Sequence, residues 1–308
     1  MTDEGDRRDA GGVAVIAIFG PTASGKSAVA EAIARRVPAA LISADSAQLY
    51  RGLPILTNQS PAALVGIWSL DHRASVGAYR ELAHEAIDAA LAAGRTPVVV
   101  GGTGLYFRAA LAELNVPPAP DAGARERWER IYDRRGAAAA HALLATKDPD
   151  AAASVHPNDR RRVVRALELA EAGHSLRGDR LWTADTRVPT LIVGLDVPSA
   201  ELAGRIEART HAMFEVGVED EVRQALAHPL SSTAGKIIGL REVGELPRDE
   251  AKAALVVRTR RFAAYQRKWM RRIPGLVTVR ADRPPEEVAD EILALARGGQ
   301  RVPAGRTG

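Results

Sequence analysis

Gly20-Pro21-Thr22-Ala23-Ser24-Gly25-Lys26-Ser27 follows an apolar run, Val13 to Phe19, and opens a stretch of helical spacing from Lys26 to Val37. The eight residues match G-x-x-x-x-G-K-[ST], and the flanks supply what that pattern needs: a buried strand entering the loop and a helix leaving it. Val29, Ile33 and Val37 fall on one helical stripe. A strand, a glycine-rich turn and a helix N-terminus together form an anion site out of backbone N–H groups and the positive end of the helix dipole. Lys26 is then expected at the terminal phosphates of a ligand, and the Ser27 hydroxyl on Mg²⁺. The loop implies a phosphate ligand without saying which.

The strand pattern extends outward from the loop. Ala39–Ser43, Thr96–Val100, Thr190–Asp196 and Gly275–Arg280 read as short buried strands, with helical stretches at Val76–Ala93, Ser199–Ala227 and Asp249–Arg272. Such alternation predicts an α/β fold: a P-loop-containing parallel sheet covered by helices on both faces, with its ligands at the carboxyl ends of the strands. The third and fourth strands lie roughly 90 residues apart, far more than one crossover helix requires. Trp128–Ala145 and Arg160–Ala172 are helical within that interval, and Val116-Pro117-Pro118-Ala119-Pro120 breaks it at the front. Residues 116–183 are therefore expected to form a helical insertion in a catalytic core made of 13–115 and 184–297. The polar ends, 1–12 and 298–308, are expected to be disordered.

Composition sets outer limits. The chain has 308 residues, 46% of them hydrophobic, and no cysteine, so disulfides and zinc–thiolate sites are excluded. It has neither the apolar length of a membrane span nor a signal-like start, and a cytoplasmic protein is expected. A net charge of +4 permits a polyanionic partner. Only five of the 42 basic residues are lysine, however, so arginine clusters arise cheaply here and each carries little weight alone.

Two further segments sit where chemistry would be placed. Asp45-Ser46-Ala47-Gln48-Leu49-Tyr50-Arg51 follows the second strand, which puts a carboxylate across from the phosphate loop, suited to acid–base work or to a plain turn. Gly101-Gly102-Thr103-Gly104-Leu105-Tyr106 follows the third; its glycines allow either a close backbone approach to a ligand or a tight turn.

Taken in order, these segments resemble the tRNA dimethylallyltransferases. That family's pattern G-P-T-A-S-G-K-[ST] is met at all eight positions from Gly20 to Ser27, D-S-x-Q-x-Y-[RK] from Asp45 to Arg51, and G-G-T-x-L-Y from Gly101 to Tyr106. H-P-N-D-x-x-R is met by His156 to Asp159 with Arg162, R-I-x-x-R by Arg205 to Arg209, and G-[YL]-[KR]-E by Gly239 to Glu242. T-R-x-x-A-x-x-Q-x-x-W-x-R begins at Thr259-Arg260 and runs through Gln266, Trp269 and Arg271. The chain departs from the pattern after Arg51, where Gln59 replaces a lysine and a histidine pair is missing, and again at Ala264-Tyr265, where two basic residues are lost.

The resemblance implies transfer of a dimethylallyl group from dimethylallyl diphosphate to N6 of adenosine 37 in the tRNA anticodon stem-loop, with Mg²⁺. It implies that Gly20 to Ser27 and Arg209 hold the diphosphate, that Asp45 takes the N6 proton, and that Thr103 meets the acceptor base. Ser46, Ala47 and Gln48 would read that base. Arg125, Arg161, Arg162, Arg165, Arg241, Arg260 and Gln266 would face the tRNA, while Trp269 and Phe262 would be core. A monomer is expected. The rival readings are a transferase acting on free AMP, a small-molecule P-loop kinase, and an RNA-binding protein without activity. The kinase reading lacks an aspartate at the end of Val98-Val99-Val100-Gly101.

Overall fold

The computed structural model describes residues 12–114, 123–176 and 185–299. The expectations for 1–11, 115–122, 177–184 and 300–308 lie outside the described residues. The chain divides into two compact units, one comprising Met1–Glu113 with Trp182–Gly308 and the other Leu114–Leu181.

The larger unit is built on five strands. In chain order its first elements are β1 (Val15–Phe19), α1 (Lys26–Ala34), β2 (Ala39–Ser43), α2 (Val76–Ala92), β3 (Thr96–Gly101) and α3 (Gly104–Leu111). The smaller unit then supplies α4 (Ala124–Arg135), α5 (Ala137–Lys147), α6 (Pro149–Ser154) and α7 (Arg160–Glu171). The larger unit resumes with β4 (Thr190–Asp196), α8 (Ser199–Glu215), α9 (Val218–Leu226), α10 (Leu240–Glu245), α11 (Arg248–Met270), β5 (Val277–Arg280) and α12 (Pro285–Arg297).

The sheet order is β2-β3-β1-β4-β5, and every pairing is parallel. β1 lies in the middle with all five residues buried, which is why it reads as an unbroken apolar run rather than an alternating one. The parallel α/β sheet expected from the sequence is the one observed. Edge strand β2 does not stay open. Ala63 pairs with it, taking a hydrogen bond from Ser43 N–H and giving one to Leu41, so the segment that departs from the family pattern covers the edge.

Three helical expectations need correction. The run 199–227 is two helices, because Gly217 adopts φ 93° and ends the first. Likewise 128–145 is divided between α4 and α5 at Gly136, φ 82°. α12 was not anticipated, although Val288, Ala289, Ile292 and Leu293 recur at helical spacing; it packs its buried face with Ile33 and Val29 of α1 in the main core.

The smaller unit packs Trp128, Tyr132, Leu144, Val163 and Leu167 into a core of its own. Its H-P-N-D segment is explained locally. Asp159 caps α7 by accepting the Arg162 N–H at 3.1 Å, and Pro157 O accepts the Tyr132 hydroxyl at 2.8 Å.

Candidate active site

At the carboxyl end of β1 the backbone turns sharply. Ala23 takes φ 64° and Gly25 φ 88°, and Ser24 N–H closes a turn onto Pro21 O at 3.2 Å. Successive turns of this kind aim backbone N–H groups into a shared concavity. α1 starts at its rim with no acidic residue in its first turn, so the positive end of its dipole is not neutralised from within. A Cβ at Gly20 would lie 2.7 Å from Ser24 Oγ and 3.3 Å from Leu195 Cβ, which leaves little room for a side chain at the loop's first position.

Two cations line the loop. Lys26 Nζ donates to Pro21 O at 2.7 Å, and Arg209 of α8 donates to Thr22 Oγ1 at 2.5 Å. Burial pushes the Lys26 ammonium down to about 8; Asp45 opposes that shift and Arg209 adds to it. Burial also lowers Arg209, again opposed by Asp45. The three groups therefore lie within electrostatic reach of one another, a carboxylate facing two partly desolvated cations.

Asp45 is half-buried, and its Oδ1 accepts the Ala47 N–H at 3.0 Å. Its other oxygen has no hydrogen-bond partner among the described residues. Behind it, the Tyr79 hydroxyl of α2 donates to Ser43 O at 2.9 Å, fixing the end of β2; burial pushes that phenol far above its ordinary range. Sequence reading passed Tyr79 over, because only the packing of α2 on β2 singles it out from other buried aromatics. Thr103 starts α3 with Oγ1 3.3 Å from Ser46 Oγ, so the β2 and β3 loops meet at their hydroxyls.

The protein itself accounts for the glycines of the 101–104 segment. A Cβ at Gly101 would come within 2.3 Å of Ala44 O, one at Gly102 within 2.2 Å of Gln266 Nε2, and one at Gly104 within 2.0 Å of the Trp269 ring. The close approach is by the protein itself, and none of the three glycines has a positive φ.

The expected RNA-facing residues fall in different settings. Gln266 is only 1% exposed and bonds to backbone in the larger unit, so it is not a surface contact. Gln48 is similarly occupied: its Oε1 accepts from Ser43 Oγ, and its amide donates to Thr57 O and Asn58 O. Arg125 makes a two-pronged bond to Glu168 at 2.6 and 3.2 Å, and Arg165 joins the same carboxylate at 3.1 Å. Glu168 has no exposed side-chain surface. Arg260 pairs with Glu207 and Arg241 with Glu245 on exposed faces. Arg162 is half-buried; Arg161 is exposed with no ion pair among the described residues. Glu168→Ala should cost about 3 kcal/mol of stability, toward the low end for a broken buried pair, because both guanidiniums keep some solvent. Denaturant unfolding of the full chain measures it.

Ser27 is the one protein oxygen expected on a metal. Among the described residues no group of three or more histidines, aspartates or glutamates could hold an ion. A lone hydroxyl beside a phosphate cradle suits Mg²⁺, which retains waters and draws its remaining oxygens from substrate phosphates. The donor set fits the ion.

A parallel sheet carrying this cradle at a strand's carboxyl end, opposite a carboxylate, defines a P-loop protein equipped for transfer chemistry. The comparisons with known proteins narrow it. The family model for IPP transferase matches residues 48–273, and that for isopentenyl transferase matches 13–63. A tRNA dimethylallyltransferase of Streptomyces coelicolor is 42% identical over 84% of this chain and 88% of its own length. One of Thermobifida fusca is 40% identical over 91% and 93%. The solved tRNA isopentenylpyrophosphate transferase of Bacillus halodurans superposes with a TM-score of 0.65 at 30% identity, covering 92% of this chain and 97% of that one. The chain belongs to the tRNA dimethylallyltransferase family. Among the described residues no helix is long and apolar enough to cross a membrane.

Proposed function

We propose that this chain transfers the dimethylallyl group of dimethylallyl diphosphate to N6 of adenosine 37 in tRNAs reading codons that begin with U, acting as a cytoplasmic monomer. The observation that supports this reading is the grouping of the Asp45 carboxylate with Lys26 and Arg209, two cations bonded to the phosphate loop. In the reaction the N6–C1 bond forms as the C1–O bond breaks. The electron pair leaves with diphosphate, and the N6 proton passes to the free oxygen of Asp45. Leaving diphosphate concentrates negative charge, so preorganised donors dominate the rate: the backbone N–H groups of Ala23 and of 25–27, Lys26 and the Arg209 guanidinium. Mg²⁺ held by Ser27 would neutralise part of that charge. Adenine N6 is a weak nucleophile because its lone pair is shared with the ring, and a positioned base answers that need. An adenine stacked in a loop must also be flipped out to reach Asp45.

Purified protein with labelled dimethylallyl diphosphate and Mg²⁺ is expected to label an unmodified tRNA carrying A36-A37-A38 and to leave free AMP unlabelled. Label on AMP alone supports the mononucleotide transferase instead. Label on neither overturns both.

A further inference from the structure

Gln266 is the one buried side chain of α11 that bonds to two separate active-site loops. Its Oε1 accepts the Thr22 N–H at 2.7 Å, and its Nε2 donates to Gly102 O at 2.9 Å. It is 1% exposed and uses both ends of its amide on backbone. The surrounding packing leaves it little freedom. A Cβ at Gly102 would overlap its Nε2 and would also come within 2.9 Å of Gly20 O, while Trp269, one turn further along α11, lies against Gly104.

We propose that Gln266 is a positioning residue that sets the distance between the donor cradle and the acceptor loop. The proposal rests on the transferase reading given above for the roles of those two loops. One end of the strap holds Thr22, whose hydroxyl also receives Arg209, so the backbone of the diphosphate loop and its arginine are fixed together. The other end holds Gly102, whose neighbour Thr103 meets Ser46 beside Asp45. Two groups that must act on one substrate pair are thereby linked through a single amide. Only glutamine's side chain has this length with one acceptor and one donor, both neutral. Glutamate keeps the bond to Thr22 but sets a carboxylate against the Gly102 carbonyl. Methionine keeps the length and makes neither bond.

Misplacing reacting groups by about 1 Å costs roughly 100-fold in rate without requiring weaker binding. Gln266→Met is therefore expected to lower kcat about 100-fold while leaving the affinities for dimethylallyl diphosphate and tRNA within about threefold. The same variant should speed deuterium exchange in residues 20–24 and 101–107 together. Gln266→Glu should lower kcat while keeping the Thr22 amide protected and loosening only 101–107; being nearly isosteric, it carries the test if the methionine variant fails to fold. Unchanged kcat overturns the proposal. So does a loss of tRNA affinity at preserved kcat, the signature of an RNA contact, or faster exchange in only one loop of the methionine variant. Should the wild-type chain prenylate no tRNA, the transferase reading fails by itself, and the exchange pattern still decides whether Gln266 ties the loops.

Discussion

Asp45→Ala is expected to lower kcat for prenyl transfer by about 10²–10⁴-fold, the usual contribution of a positioned general base. Affinity for dimethylallyl diphosphate should stay within about threefold at pH 7. The two effects separate because the Asp45 carboxylate's one hydrogen bond among the described residues is with Ala47 N–H, in its own loop, and none is with the cradle. Its effect on the donor site is electrostatic. Removing the carboxylate takes away the group that supports the charged form of Lys26, so donor binding should weaken at alkaline pH and hold near neutrality. Asp45→Asn is the sharper variant, since it keeps an acceptor for the Ala47 N–H while abolishing the base. Single-turnover transfer and calorimetric titration of the donor, run on both variants at pH 7, measure the separation. Collapse of donor binding at that pH would make Asp45 a metal or structural residue.

The legibility of this site in the sequence follows the range of the interactions. β1, the loop and α1 are contiguous, so their geometry is encoded within 20 residues: an apolar run, two glycines and a helix with no acid in its first turn. The inner strands β3 and β4 were legible for the same reason, since strands buried on both faces need continuous apolar runs. Residues whose roles depend on distant partners were not legible. Gln266 bonds to Thr22, 244 positions away, and its place in a motif shared with RNA-modifying enzymes says nothing about which way its amide faces. Arg125 and Arg165 look like unpaired cations in a basic chain until Glu168 is placed between them. The glycines at 101, 102 and 104 show the converse. Their identity was plain, but the atoms that require it belong to Ala44, Gln266 and Trp269, and only the fold brings those near.

Lys26→Met should abolish most donor binding and yet raise stability. The binding loss follows from charge: an ammonium–phosphate bond contributes about 1.5–3 kcal/mol, which is roughly 10- to 150-fold in affinity, before any effect on the developing charge of the leaving group. The stability gain follows from the sign of the shift. Burial holds Lys26 at about 8 in the folded chain against an ordinary 10.5. Between those two values the unfolded state binds the extra proton, so stability rises with pH across that window. Below about 8 both states are protonated, and the folded state carries the net cost of a half-buried ammonium whose hydrogen bond is to a neutral carbonyl, Pro21 O. Methionine removes that cost. The variant should therefore melt higher than wild type at pH 7, and the gap should close as pH rises above 8. Bound diphosphate acts on the same term with the opposite sign. By favouring the ammonium it must draw a proton onto Lys26, so donor binding at pH 8–9 should take up protons and weaken as pH increases. Calorimetry in buffers of different ionisation enthalpy reads the uptake directly. A methionine variant that melts below wild type at pH 7, or donor binding without proton uptake at pH 8.5, would show that Lys26 is already charged and compensated before the substrate arrives.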